Sequence, residues 1–236
     1  MKNNLITQMI YRIVFCVLSA FGCVLTLGFF ETSGSDTFGF NTDFWKFYTN
    51  ISNYLCFGVG VAVCASTVKR VRAGEREGYN NTCRTLKFCA TVMILVTFLV
   101  YITLLGDVAS LAFWNSLGNV LYHVAVPVLF ILDWALFDEH RQIKKLDPLK
   151  TLVMPLVYVV YILVIGAIYG AASGQPFDYP YFFLDVNELG YGGVCLWVFI
   201  LLCIFTVLSY LMFVYDKLVK GDDGKWRFDF KNIKLI

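Results

Sequence analysis

The chain has 236 residues, 58% of them hydrophobic and 15% charged, with a formal net charge of +2. That apolarity excludes an ordinary soluble domain, in which about 25% of residues are charged. The small net charge is accounted for by membrane orientation and does not point to nucleic-acid binding.

A membrane-crossing helix needs ~20 consecutive apolar residues, and six stretches supply them. The first, 9–30, is too long for a signal-peptide core and lacks a small-residue cleavage site before polar chain, so it is expected to be a span. A Gly/Ser/Thr-rich loop, 31–43, follows. The second stretch, 44–68, opens Asp43-Phe44-Trp45-Lys46-Phe47-Tyr48-Thr49-Asn50-Ile51-Ser52-Asn53, which is unusually polar for a membrane helix. Lys46, Thr49, Asn53 and Cys56 fall at helical spacing on one face, with Ser52 beside them. A polar stripe in lipid has to face the bundle interior or a wet cavity.

The third stretch, 87–105, has Asp107 at its outer end. The fourth, 115–137, carries His123, the sole histidine in any span, and Asn119 one turn outside it. Pro127 has no N–H for the carbonyl of His123, so the helix should be irregular there. Intramembrane imidazoles are functional candidates by default. The fifth stretch, 151–172, ends in Gly166-Ala167-Ile168-Tyr169-Gly170, a small-xxx-small pattern expected to let another helix approach. Outer segment 173–192 contains Phe177-Asp178-Tyr179-Pro180-Tyr181-Phe182-Phe183-Leu184-Asp185, too aromatic for a solvated loop and suited either to an interfacial belt or to a roof. The sixth stretch, 193–216, leads to a basic tail, 217–236. The expected fold is therefore a single all-α integral membrane domain, a six-transmembrane-helix bundle.

All of the 19 Lys and Arg residues except Lys46 fall in the N-terminus, the 69–87 and 141–150 connections or the tail. By the positive-inside rule both termini are cytoplasmic. Of the 8 cysteines, all but Cys83 fall within spans, which leaves no outer disulfide framework and suits packing roles.

Spans two and four both run inward from the outer face. Counted from Phe44 and Asn115, Thr49 and His123 each lie roughly 8–12 Å deep, in one layer. A threonine hydroxyl needs an adjacent base to act as nucleophile, and His123 could serve. A carboxylate could orient the imidazole. Asp107 has the right depth, Asp185 and Glu188 are weaker candidates, and Asn119 could orient or stabilise an oxyanion. Asp133, about 15 Å deeper on the same helix, reads as structural. Lys46 could hold a lipid headgroup or snorkel to the interface.

Trp45-Lys46-Phe47-Tyr48-Thr49, the His123…Pro127 helix and Tyr179-Pro180-Tyr181-Phe182-Phe183-Leu184-Asp185 together resemble the androgen-induced and androgen-dependent TFPI-regulating family. These are multipass threonine hydrolases that cleave fatty acid esters of hydroxy fatty acids, and the chain looks more similar still to their bacterial six-span relatives of unassigned function. The resemblance implies Thr49 as nucleophile and His123 as base; Lys46, Asn53, Asp107 and Asn119, read from their positions, are the expected supporting residues. It implies a membrane lipid or fatty acyl ester as substrate and a bacterial plasma membrane; the expected mechanism needs no cofactor or metal, and the charge asymmetry sets the site near the non-cytoplasmic leaflet. The His-to-Pro interval is shorter by one residue than in the eukaryotic enzymes, which leaves the substrate open. A non-catalytic lipid or small-molecule carrier using the same polar layer is the competing reading, and a structural scaffold is a third. A bis-histidine haem and a metal hydrolase lack ligands, and a retinal-type Schiff base lacks a mid-span lysine.

Overall fold

The fold is given by a computed structural model that describes residues 4–27, 45–105, 114 and 117–218. Among these residues there is no strand, and six helices are long and apolar enough to cross a membrane. They are α1 (Leu5–Thr26), α2 (Tyr48–Arg72), α3 (Arg84–Leu105), α4 (Leu117–Phe137), α5 (Val153–Ser173) and α6 (Val186–Leu218). A helix satisfies its own backbone in hydrocarbon, so long aliphatic runs have few alternatives there. The ends are set by local chemistry. The Asn4 side chain accepts from the N–H groups of Ile6 and Thr7 to start α1, and left-handed Gly174 terminates α5.

Several boundaries differ from expectation, among them the starts of α2 and α6. α2 starts at Tyr48, because Trp45 and Lys46 occupy a 3-10 turn and Phe47 is an extended N-cap. α6 starts already at Val186 and is bent at Gly190, whose φ of 63° lies in the left-handed region. Asp107, the 31–43 loop and the tail beyond Leu218 lie outside the described residues.

Successive helices run antiparallel. The basic ends meet on one side, where the Leu5 N–H donates to the Arg76 carbonyl and the Arg141 N–H to the Asp216 carbonyl. α1 to α4 pack around Phe15, Cys56, Val59, Val63, Ile94, Val126 and Phe130. Gly60 permits that approach, since a methyl group there would collide with the Phe15 ring. α5 and α6 form a second layer, joined to the first through Tyr48, Ile51 and Val100. Their outward faces carry exposed Val157, Val160, Ile168, Phe199 and Val207, as a lipid-facing surface requires.

The aromatic segment before α6 is a roof. Phe177, Tyr181, Phe183 and Leu184 are buried against Tyr158, Ile162 and Val194. Gly166 serves that roof and not a helix contact, because a side chain at 166 would strike the phenol of Tyr179.

Pro127 has the anticipated effect in a specific form. Leu121–Ala125 is a π segment, with the Val126 N–H reaching back to the Leu121 carbonyl. α3 likewise ends in a π segment, Tyr101–Leu105, that no proline announces. Short π segments often occur at functional sites.

Candidate functional site

Thr49 lies in the first turn of α2, buried at 8% exposure. Its carbonyl accepts from the Ser52 hydroxyl at 2.9 Å and the Asn53 amide at 2.9 Å. Ser52 also meets the Thr97 hydroxyl at 3.0 Å. The Tyr181 hydroxyl drops from the roof to 3.5 Å from Thr49 Oγ1 and accepts the Thr49 N–H at 3.4 Å. Burial pushes the Tyr181 phenol above its ordinary value, and the hydrogen bond with Thr49 only partly opposes this, so it stays protonated. With its oxygen accepting the Thr49 N–H, Tyr181 can donate to Thr49 Oγ1 and leave the threonine proton free for a base or ligand.

This hydroxyl opens on a cavity between α2 and α3 on one side and α5 and α6 on the other. The cavity encloses about 630 Å³ of empty space, mouth included. Tyr48, Thr49, Thr97, Tyr158 and Tyr181 contribute its polar groups, and the remaining lining is aliphatic or Pro and Phe, including Val96, Val100, Leu201 and Phe205. An acyl chain suits such a wall.

His123 lies at the centre of the π segment of α4, with its ring stacked on Tyr101 at 3.4 Å between centroids and 9° between planes. Its Nδ1 is buried without a hydrogen-bond partner among the described residues. It is not in the lining of the Thr49 cavity, and no hydrogen bond joins the two side chains among the described residues. Asn53 connects the two regions: its amide donates to the Thr49 carbonyl and, at 3.2 Å, to the carbonyl of Tyr122 beside His123.

The other candidates separate. Lys46 precedes α2 and does not share its helical face. Its ammonium is 5.1 Å from the Phe177 ring centroid, and its carbonyl accepts from Tyr158 at 2.6 Å. Asn119 is half-buried one turn outside His123. Asp185 accepts the Asn187 N–H at 2.8 Å, a capping role, and Glu188 is exposed, so neither joins Thr49. Tyr48, Thr97 and Tyr181 were absent from the expected site. Tyr48 stood in the quoted polar opening and Tyr181 in the aromatic segment, whereas nothing in the sequence distinguished Thr97 from a packing threonine.

Sequence reasoning also missed a charged cluster at the basic end. Arg12 of α1, Lys87 of α3, Asp133 of α4 and Asp138 just after it are each 5% exposed or less. Arg12 Nε contacts Asp133 at 2.9 Å, and its Nη1 donates to Gln8 at 3.0 Å and Thr67 at 2.8 Å. The Lys87 ammonium bridges Asp133 and Asp138. Two cations face two carboxylates, so the cluster is neutral as a whole. The signal was available: Arg12 inside the first apolar run and Asp133 inside the fourth stand at comparable distances from the basic end.

Comparison of the chain with protein families, with curated proteins and with solved structures returns no match.

Proposed function

We propose that this chain is an intramembrane lipid ester hydrolase with Thr49 as nucleophile and His123 as base, related to the multipass threonine hydrolases. The observation that supports it is the Thr49 hydroxyl, polarised by Tyr181, at the wall of an apolar cavity inside a membrane bundle. An acyl ester enters with its chain along the apolar lining and its carbonyl at Thr49. Thr49 Oγ1 attacks the carbonyl carbon while its proton passes to His123, the alcohol leaves with that proton, and an acyl-threonine forms. Water then gives a proton to His123, its oxygen attacks the acyl carbon, and the carboxylic acid and Thr49 are released. His123 has to leave its stack on Tyr101 to take that proton, because no hydrogen bond joins it to Thr49 among the described residues. No cofactor enters the scheme. Both termini are assigned to the cytoplasm of a bacterial plasma membrane, which sets the site toward the outer leaflet.

A second reading, an acyl-lipid carrier, is favoured by the absence of His123 from the lining of the Thr49 cavity among the described residues. Fluorophosphonate labelling of the purified protein decides between them. The hydrolase reading expects labelling of wild type that is lost in both Thr49→Ala and His123→Ala, with folding retained. Well-folded wild type that resists the reagent, yet binds acyl lipid, would leave the carrier.

A further inference from the structure

Three tyrosines line the cavity, and two have committed hydroxyls. Tyr158 donates to the Lys46 carbonyl at 2.6 Å, and Tyr181 is engaged with Thr49. Thr97 donates to the Met93 carbonyl at 3.1 Å. The hydroxyl of Tyr48 is different: it is buried and has no hydrogen-bond partner among the described residues. Leaving a buried donor unpaired is costly, particularly within a membrane, and such groups are normally satisfied by protein or by what the protein binds. The ring itself is firmly held, at 5.1 Å from the Tyr158 ring and 6.3 Å from Phe205, so the hydroxyl cannot swing out to find a partner cheaply. Tyr48 also immediately precedes Thr49, and both side chains line the one cavity.

We propose that the Tyr48 hydroxyl is the hydrogen-bond donor for a neutral carbonyl of a single-chain acyl ligand, and so selects esters over free fatty acids. Among the described residues the lining contains no cation, which removes the counter-charge that a carboxylate would require when transferred into an apolar cavity. A neutral ester carbonyl needs one donor, and Tyr48 has one to give. Its acyl chain would lie against Val96, Val100, Leu201 and Phe205. The same preference would expel a carboxylate once formed, which suits turnover. The inference rests on the reading of this cavity as an acyl-lipid site, and it does not require Thr49 to be a nucleophile.

The test is binding of a long-chain methyl ketone, a non-hydrolysable carbonyl isostere, to the full-length protein in nanodiscs. The n-alkane and the fatty acid carboxylate of equal length are the comparisons. Wild type should bind the ketone better than either. Tyr48→Phe should weaken the ketone about tenfold, the worth of one hydrogen bond, and leave the alkane unchanged. A carbon-13 ketone should show in wild type an infrared carbonyl band shifted down from its position in detergent, a readout that does not depend on any variant folding. Ketone binding is read without any labelling, so wild type that binds the ketone yet resists fluorophosphonate would overturn the hydrolase reading and leave this result standing. Equal binding of ketone and alkane by wild type, an unshifted carbonyl band, or equal weakening of both ligands by Tyr48→Phe would each overturn the assignment.

Discussion

At the scale of single residues, the strongest energetic commitments are at the basic end of the bundle, away from Thr49. Arg12, Lys87, Asp133 and Asp138 form a closed account of charge in an environment that tolerates no remainder. Removing one member of a buried ion pair leaves an uncompensated charge and typically costs about 3–5 kcal/mol. Lys87→Met should therefore lower the unfolding midpoint in mixed micelles strongly, since two adjacent carboxylates would then share only Arg12. Adding Asp138→Asn to that variant returns the count to one cation and one anion and should recover much of the loss. A Lys87→Met protein with an unchanged midpoint would show that the cluster contributes little. The Thr49 layer is different in kind: its polar groups are hydroxyls and amides, of which Tyr48 Oη and Asn53 Oδ1 have unused bonding capacity, as has the His123 imidazole on α4. Groups that hold a fold are mutually satisfied, and groups that meet a ligand keep something in reserve.

At the scale of the helices, the two π segments are what bring His123 and Tyr101 together. Each widens the helix by part of a turn and redirects the side chains within it. In α4 the cause is legible, because Pro127 cannot donate to the His123 carbonyl and the ladder shifts to the Val126–Leu121 bond. In α3 no residue type announces it; the π geometry there accompanies the stack on His123, a tertiary contact invisible to local reading. Pro127→Ala restores the missing donor and should let 121–125 relax to α-helical register, turning the imidazole off the Tyr101 face. Proton NMR of histidine-labelled protein measures this directly, because the chain has only 2 histidines and His140→Gln assigns them. In wild type the His123 ring protons should be shifted upfield by the tyrosine ring, and Pro127→Ala should bring them back. An unchanged spectrum would mean that packing against Tyr101 alone, and not the proline, holds the register.

At the scale of the whole molecule, what could be read from sequence was what depends on solvent. Six apolar runs became six helices because hydrocarbon leaves the backbone no other way to satisfy itself. The polar face of α2 was legible for the same reason, and Thr49, Asn53 and Cys56 are buried together as their spacing required. Contacts between distant segments were not legible. Spacing could not reveal that Tyr181 would come down on Thr49, that Tyr179 would fill the notch at Gly166, or that Arg12 would find Asp133. The charge distribution makes one further demand. Arg76, Arg84, Arg141 and Lys217 all belong to the basic end, whereas Lys46 stands at the opposite end beside the aromatic roof. Moving that basic end across a membrane is opposed by every Lys and Arg it carries, so the bundle should insert with both termini in the cytoplasm. Fusion of a reporter to the C-terminus should give fluorescence with green fluorescent protein and no activity with alkaline phosphatase, which matures only outside. A phosphatase inserted in the connection between α5 and α6 should be active. The reverse pattern would place Thr49 toward the inner leaflet, and the supply of ester substrate would then have to come from the cytoplasmic side.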